Sequence, residues 1–111
     1  MEEEEAMGMG IGINVQTPDF GPVKGHQEDI ACGVWFTSQG HTMPKLIKYQ
    51  DEEGMMHIID NIHVQYASKK NFCGIPSIEY RCTTIDGDRQ YAFRLIFYIE
   101  KCQWKMIMEK T

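Results

Sequence analysis

No stretch of this sequence approaches the roughly 18 consecutive apolar residues that a membrane-spanning helix needs. The N-terminus is acidic where a secretory leader would be basic, and no apolar h-region follows. The four cysteines, Cys32, Cys73, Cys82 and Cys102, contain no Cys-x-x-Cys pair. Together these absences predict a soluble, cytoplasmic protein whose thiols are reduced and mostly buried rather than joined in disulfides.

Charge of one sign is also scarce outside one short run. The net charge is −5, but Glu2, Glu3, Glu4 and Glu5 supply four of the sixteen acidic groups, which leaves twelve acids against eleven bases in residues 6–111. The acidity therefore belongs to the terminus, which reads as solvated, and the body is nearly neutral. A near-neutral body gives no global steering toward nucleic acid and leaves only a local basic face as a route to it. Phosphate-binding loops are missing too. The Gly8–Gly12 segment lacks a preceding strand and a following helix, and no Gly-Lys-Ser/Thr follows it.

A sustained 3.6-residue apolar period is absent as well; the period that is present is two. Cys32, Val34 and Phe36 alternate with Gly33, Trp35 and Thr37, and Gln39-Gly40 ends the run. Met43 to Gln50 reads as a second strand, turned by Asp51–Gly54 into an apolar stretch from Met56 to Ile59. Ile62, Val64 and Tyr66 alternate next. Ile78, Tyr80 and Cys82 share a face opposite Glu79, Arg81 and Thr83. Asp86-Gly87 signals a type I′ hairpin, and Tyr91, Phe93, Leu95, Phe97 and Ile99 form the next apolar face. A tight connection at Glu100-Lys101 leads to Trp104, Met106 and Met108.

At 111 residues one continuous core is all the chain can support. The reading is all-β: a five- or six-stranded antiparallel small barrel or sandwich of SH3-like size over residues 30–111. Residues 1–29, punctuated by five glycines and two prolines, read as a flexible or extended N-terminal arm, with Ile11, Ile13 and Val15 able to form a short edge strand.

The order Trp35, Gly40, Pro44, Ile47, Tyr49, the Asp51–Gly54 turn and Ile58, followed by Cys73-Gly74, Tyr80-Arg81, Phe93 and Trp104, resembles a group of small bacterial β-proteins with no assigned activity. They open on a P-x-x-I-x-W/Y…D-G pattern and close on a G-R-W-like strand. The resemblance covers about residues 33–108 and rests on turns and core aromatics. It implies the β-fold and carries over no activity.

Reactive sets are thin. His57 and His63 could reach toward Cys73 for zinc, yet closely spaced ligand pairs are missing, and partly exposed, satisfied histidines are the plainer reading. Cys73, in the Asn71–Gly74 turn, is the one loop cysteine, with His41, His57 or His63 as conceivable bases. Glu52-Glu53 and Asp86/Asp88 fall in turns, where carboxylates are solvated and do not gain the raised pKa of an acid catalyst. No enzyme, no metal and no cofactor is expected.

The residues left for binding are basic and aromatic: Trp35, Lys45, Lys48, Tyr66, Lys69, Lys70, Arg81 and Arg94. Methionine pairs at Met7/Met9, Met55/Met56 and Met106/Met108 could offer adaptable contact surface or fill the core. The function expected from these residues is a non-enzymatic binding module with a protein partner. A small barrel that stacks single-stranded nucleic acid beside a cationic groove is the alternative. A regulatory or counter-defence protein of a mobile element, capturing a protein or a small ligand, is a further one. No membrane partner is expected, and homo-oligomerisation is left open.

Overall fold

The structure is a computed structural model that describes residues 18–109. The Glu2–Glu5 run, the Gly8–Gly12 segment, the Ile11–Val15 alternation, Met7 and Met9 lie outside the described residues.

Two antiparallel sheets pack face to face and do not close into a barrel, which selects the sandwich over the barrel. The strands are β1 (Glu28–Asp29), β2 (Ala31–Phe36), β3 (Thr42–Gln50), β4 (Met56–Ile59), β5 (His63–Phe72), β6 (Ile75–Asp86), β7 (Arg89–Tyr98) and β8 (Gln103–Met108). The large sheet has the order β1-β8-β7-β6-β5, and the small sheet β2-β3-β4. Among the described residues eight strands replace the five or six expected. β1 is only two residues long and leaves no periodicity to read, and residues 31–59 form a separate three-stranded sheet. Among the described residues no helix is long and apolar enough to cross a membrane, which says nothing of crossing by strands.

The core lies between the sheets. Tyr80 and Cys82 of β6, Phe93 and Leu95 of β7 and Met106 of β8 meet Ile47 of β3, with Cys32, Tyr49 and Ile59 packed around them. Period-two alternation places these side chains on one face of each strand. Across the core the Thr42 and Tyr80 hydroxyls are hydrogen-bonded to each other. Trp104 stacks on Phe97 at 4.7 Å between ring centres.

The turns follow their chemistry, with one correction. Asp86 pairs with Arg89, so the central pair of the β6–β7 hairpin is Gly87-Asp88 rather than Asp86-Gly87. Only Gly87 has positive φ (66°), which is the II′ pattern and not the I′ expected. The I′ pattern occurs at the β5–β6 hairpin instead, where Cys73 (53°) and Gly74 (78°) both have positive φ. The β7–β8 connection is a 3₁₀ turn, Ile99–Lys101, closed by Cys102 in the left-handed region at φ 51°.

Residues 18–29 were expected to belong to the arm; they lie against the large sheet. The Phe20 amide donates to the Asn71 carbonyl (2.8 Å). One carboxylate, Asp19, accepts from the amides of Gly21 (2.7 Å), Cys73 (3.1 Å) and Gly74 (2.6 Å). These bonds hold its carboxyl below the usual aspartate range, the Gly21 bond most of all. Val23 packs on a second cluster of Phe72, Ile96 and Ile107, on the face of the large sheet turned away from the core. Glu28 and Asp29 then pair with Met106 and Lys105 of β8. Glycine and proline erase periodicity here, so tertiary contacts supply the order that local pattern cannot announce.

Candidate functional site

The outer face of the large sheet is consumed by the fold. Glu79 of β6 is only 2% exposed and sits between Lys70 of β5 and Arg94 of β7, each 3.0 Å away. Burial pushes its carboxyl up, but hydrogen bonds and charge from Lys70 and Arg94 outweigh that and hold it below the ordinary value. Arg94 also reaches Glu109 (3.3 Å) and donates to the Lys24 carbonyl (2.5 Å), while Arg81 lies 3.4 Å from Glu109. Lys70 sits over the Phe20 ring at 4.5 Å. Three of the eight expected binding residues, Lys70, Arg81 and Arg94, are thus neutralised partners in one network. Tyr66, opposite Arg81 in register, lies on the same face, whereas Lys69, opposite Ile78, points to the other.

Trp35, Lys45 and Lys48 occupy the far side of the molecule, on the outer face of the small sheet. Trp35 pairs with Met43, Lys48 with Ile58 and Gln50 with Met56. A bulge at Lys45, where Gly33 pairs with Leu46 but Val34 with Pro44, turns its ammonium over the Trp35 ring at 5.3 Å. Trp35 is 68% exposed, Met56 63%, Ile58 58% and Met43 42%. Among the described residues neither Lys45 nor Lys48 has an acidic partner. The expected set therefore does not form one groove: Lys70, Arg81 and Arg94 are paired with acids, Tyr66 and Lys69 lie on opposite faces of β5, and Trp35, Lys45 and Lys48 lie together on the small sheet.

Met43, Leu46 and Ile58 of this patch are absent from the sequence-based set. A signal existed: β3 and β4 carry apolar side chains at both parities, Ile47 and Ile59 inward against Leu46 and Ile58 outward. A strand buried on one face needs only one apolar parity, so the second is surplus to the core. Of the methionine pairs, Met55 and Met56 are both exposed, whereas Met106 is fully buried.

The histidines and cysteines are held apart. His57 bonds Asp51 (Nε2···Oδ2 2.7 Å) and stacks on Tyr49 at 5.0 Å. Asp51 also accepts from the Glu53 and Met55 amides, and the His57 bond, ahead of these, lowers its carboxyl below the ordinary range. His63 begins β5 and Cys73 follows its end, so a full ten-residue strand separates them. No group of three or more metal-ligating side chains occurs among the described residues. None of the four cysteines is in a disulfide. Burial pushes the Cys82 thiol up to about 12 and the Cys32 thiol up to about 11, so neither is a thiolate near neutral pH.

A cleft of 450 Å³ opens at one end of the sandwich, between β4 and the β6–β7 hairpin. Tyr49, His57 and Tyr91 supply rings to its walls, and Asp60, Asn61 and Asp86 supply polar groups. Its floor is fixed: Thr84, 5% exposed, donates to Asn61 Oδ1 (2.5 Å), and Asn61 Nδ2 donates to the Ile85 carbonyl (3.0 Å).

Comparison of the chain with protein-family models, with curated proteins and with solved structures gives no match.

Proposed function

We propose that this protein is a non-enzymatic binding module that docks a partner protein on the outer face of its small sheet. The observation that carries the reading is the exposed set Trp35, Met43, Met56 and Ile58 beside two lysines with no acidic partner among the described residues. Apolar side chains gathered on one face mark interaction sites, and tryptophan is the side chain most often found to dominate an interface. The chemistry of the partner follows from charge. A symmetric contact between two copies would bring four lysines into one interface, a like-charge arrangement that costs stability. An apolar surface rimmed by carboxylates is complementary instead.

Trp35 with Lys45 and Lys48 also matches the ring-and-cation pattern that stacks single-stranded nucleic acid. Two cations release few counterions, and the bases of the opposite face are neutralised by Glu79 and Glu109, which favours the protein reading. The test is a titration with three immobilised probes: an amphipathic peptide alternating glutamate with leucine and phenylalanine, its lysine counterpart, and a single-stranded oligonucleotide. Binding of the acidic peptide alone is expected, with loss in Trp35→Ser and in Lys45→Glu/Lys48→Glu. Oligonucleotide binding that collapses as salt is raised, or a peptide response unchanged by both variants, overturns the reading.

A further inference from the structure

We propose that the cleft between β4 and the β6–β7 hairpin is a second binding site, which adjoins the docking face at Ile58, and that it takes a neutral polyhydroxylated ligand, a saccharide. Its volume of 450 Å³ falls within the roughly 300–1,000 Å³ usual for small-molecule sites.

The lining selects among ligand classes. No lysine or arginine lines the cleft, while the Asp60 and Asp86 carboxylates do, so a phosphate or carboxylate ligand meets like charge without compensation. A second cation on the Tyr91 ring meets the like charge of the Arg89 guanidinium, which already lies 5.8 Å from the ring centre, whereas a neutral ligand on the other face of the ring does not. The His57 ring is bonded to Asp51 and stacked on Tyr49. A purely apolar ligand would cover Asp60, Asn61 and Asp86 and strip them of water without replacing its hydrogen bonds.

A sugar meets each of these surfaces. Its C–H faces lie against Tyr49 and Tyr91, and its hydroxyls give and accept bonds from two carboxylates and one carboxamide. Asn61 is the fixed point. With Thr84 donating to its oxygen and its own nitrogen donating to Ile85, the carboxamide is locked in orientation, yet one N–H and one lone pair stay free for a ligand. Asn61 is exposed and lines the cleft, so its carboxamide is accessible to a ligand there.

Nuclear magnetic resonance titration of the isotope-labelled full chain with glucose, galactose, mannose, N-acetylglucosamine and a β-linked glucose tetrasaccharide tests the proposal. At least one sugar is expected to shift the Asn61, Ile85 and Tyr91 amides saturably, in the millimolar range or tighter. Asn61→Ala and Asp86→Asn are each expected to weaken that response at least about tenfold, a loss of about 1.4 kcal/mol. Asp86 is exposed, so its variant keeps the test valid should Asn61→Ala perturb the floor. Trp35→Ser, on the docking face, is expected to leave sugar binding unchanged, which separates failure of this site from failure of that one. No saturable shift with any of these sugars overturns the proposal. So does a response undiminished in both cleft variants, or one produced by spermidine or inorganic phosphate and by none of the sugars.

Discussion

The two outer faces of the sandwich treat the same problem in opposite ways. Each belongs to a sheet whose inner face is buried, and each carries apolar and cationic side chains. On the large sheet, residues 18–27 lie across the surface, Val23 covers Ile96 and Ile107, and a buried glutamate gathers the cations. On the small sheet no described segment crosses the surface, and Trp35, Met56 and Ile58 meet solvent. What distinguishes the faces is the presence of carboxylates. Glu79 lets Lys70 and Arg94 be largely desolvated beside it and Glu109 pairs with Arg81 and Arg94, whereas Lys45 and Lys48 have no such partner among the described residues. An uncompensated cation keeps a face open to water, or to a partner that brings the missing charge.

Breaking the covered face should produce the largest effect. Arg94→Ala removes one of two cations from a carboxylate that is 2% exposed and releases the Lys24 carbonyl as well. Leaving a buried charge short of a partner costs about 3–5 kcal/mol, and the remaining Lys70 places this variant near the lower end. Chemical denaturation measures it. The double variant Glu79→Leu/Arg94→Met should recover much of the loss, since apolar residues of similar volume can replace a buried pair. A single variant that melts like the wild type would show that the network contributes nothing and that the faces are alike.

Both the legible and the illegible parts of the molecule follow from this arrangement. The meander from Ile75 to Met108 could be read closely because one parity is apolar along each of its strands: Tyr80, Cys82, Phe93, Leu95 and Met106 are all core residues. The hairpin was legible from Gly87 to within one residue, although its central pair and turn type were not, because the register that decides both is set by the pairing of Asp86 with Arg89. Glu79, Arg81 and Arg94 read as polar positions of a hairpin, but no local pattern tells that residues 18–27 will cover them. At the candidate sites, Trp35, Lys45 and Lys48 were visible as residue types. Their separation from Arg81 and Arg94 was not, since which sheet a strand joins is a tertiary fact. The cleft was invisible: Tyr49 and His57 of the small sheet meet Asp86 and Tyr91 of the β6–β7 hairpin only in the sandwich.

Acid should loosen the anchoring of the covering segment before it unfolds the sheets. Asp19 has its pKa lowered by the Gly21, Gly74 and Cys73 amides, and Glu79 has its pKa lowered by Lys70 and Arg94 despite burial. A carboxyl depressed in the folded state contributes stability above its ordinary value, and that contribution is lost as pH falls through the depressed value. The amide protons of Gly21, Cys73 and Gly74 should therefore shift together in a pH titration, with a common midpoint below the usual aspartate range. A midpoint at or above that range, or three independent midpoints, would separate this segment from the Asp19 carboxylate.

The smallest effect on stability is expected on the open face, and it sharpens the comparison most. Trp35→Ser and Ile58→Thr alter side chains already in contact with water, so each gives up little burial. Surface substitutions of this kind change stability by less than about 0.5 kcal/mol. Both replacements also lower the apolar area that a partner could bury, so binding should fall while the melting curve stays in place. That dissociation is what distinguishes an interaction face from an unfinished core. Should either variant lose more than about 1.5 kcal/mol by denaturation, a magnitude typical of removing core packing, the face is structural and the contrast between the two sheets fails.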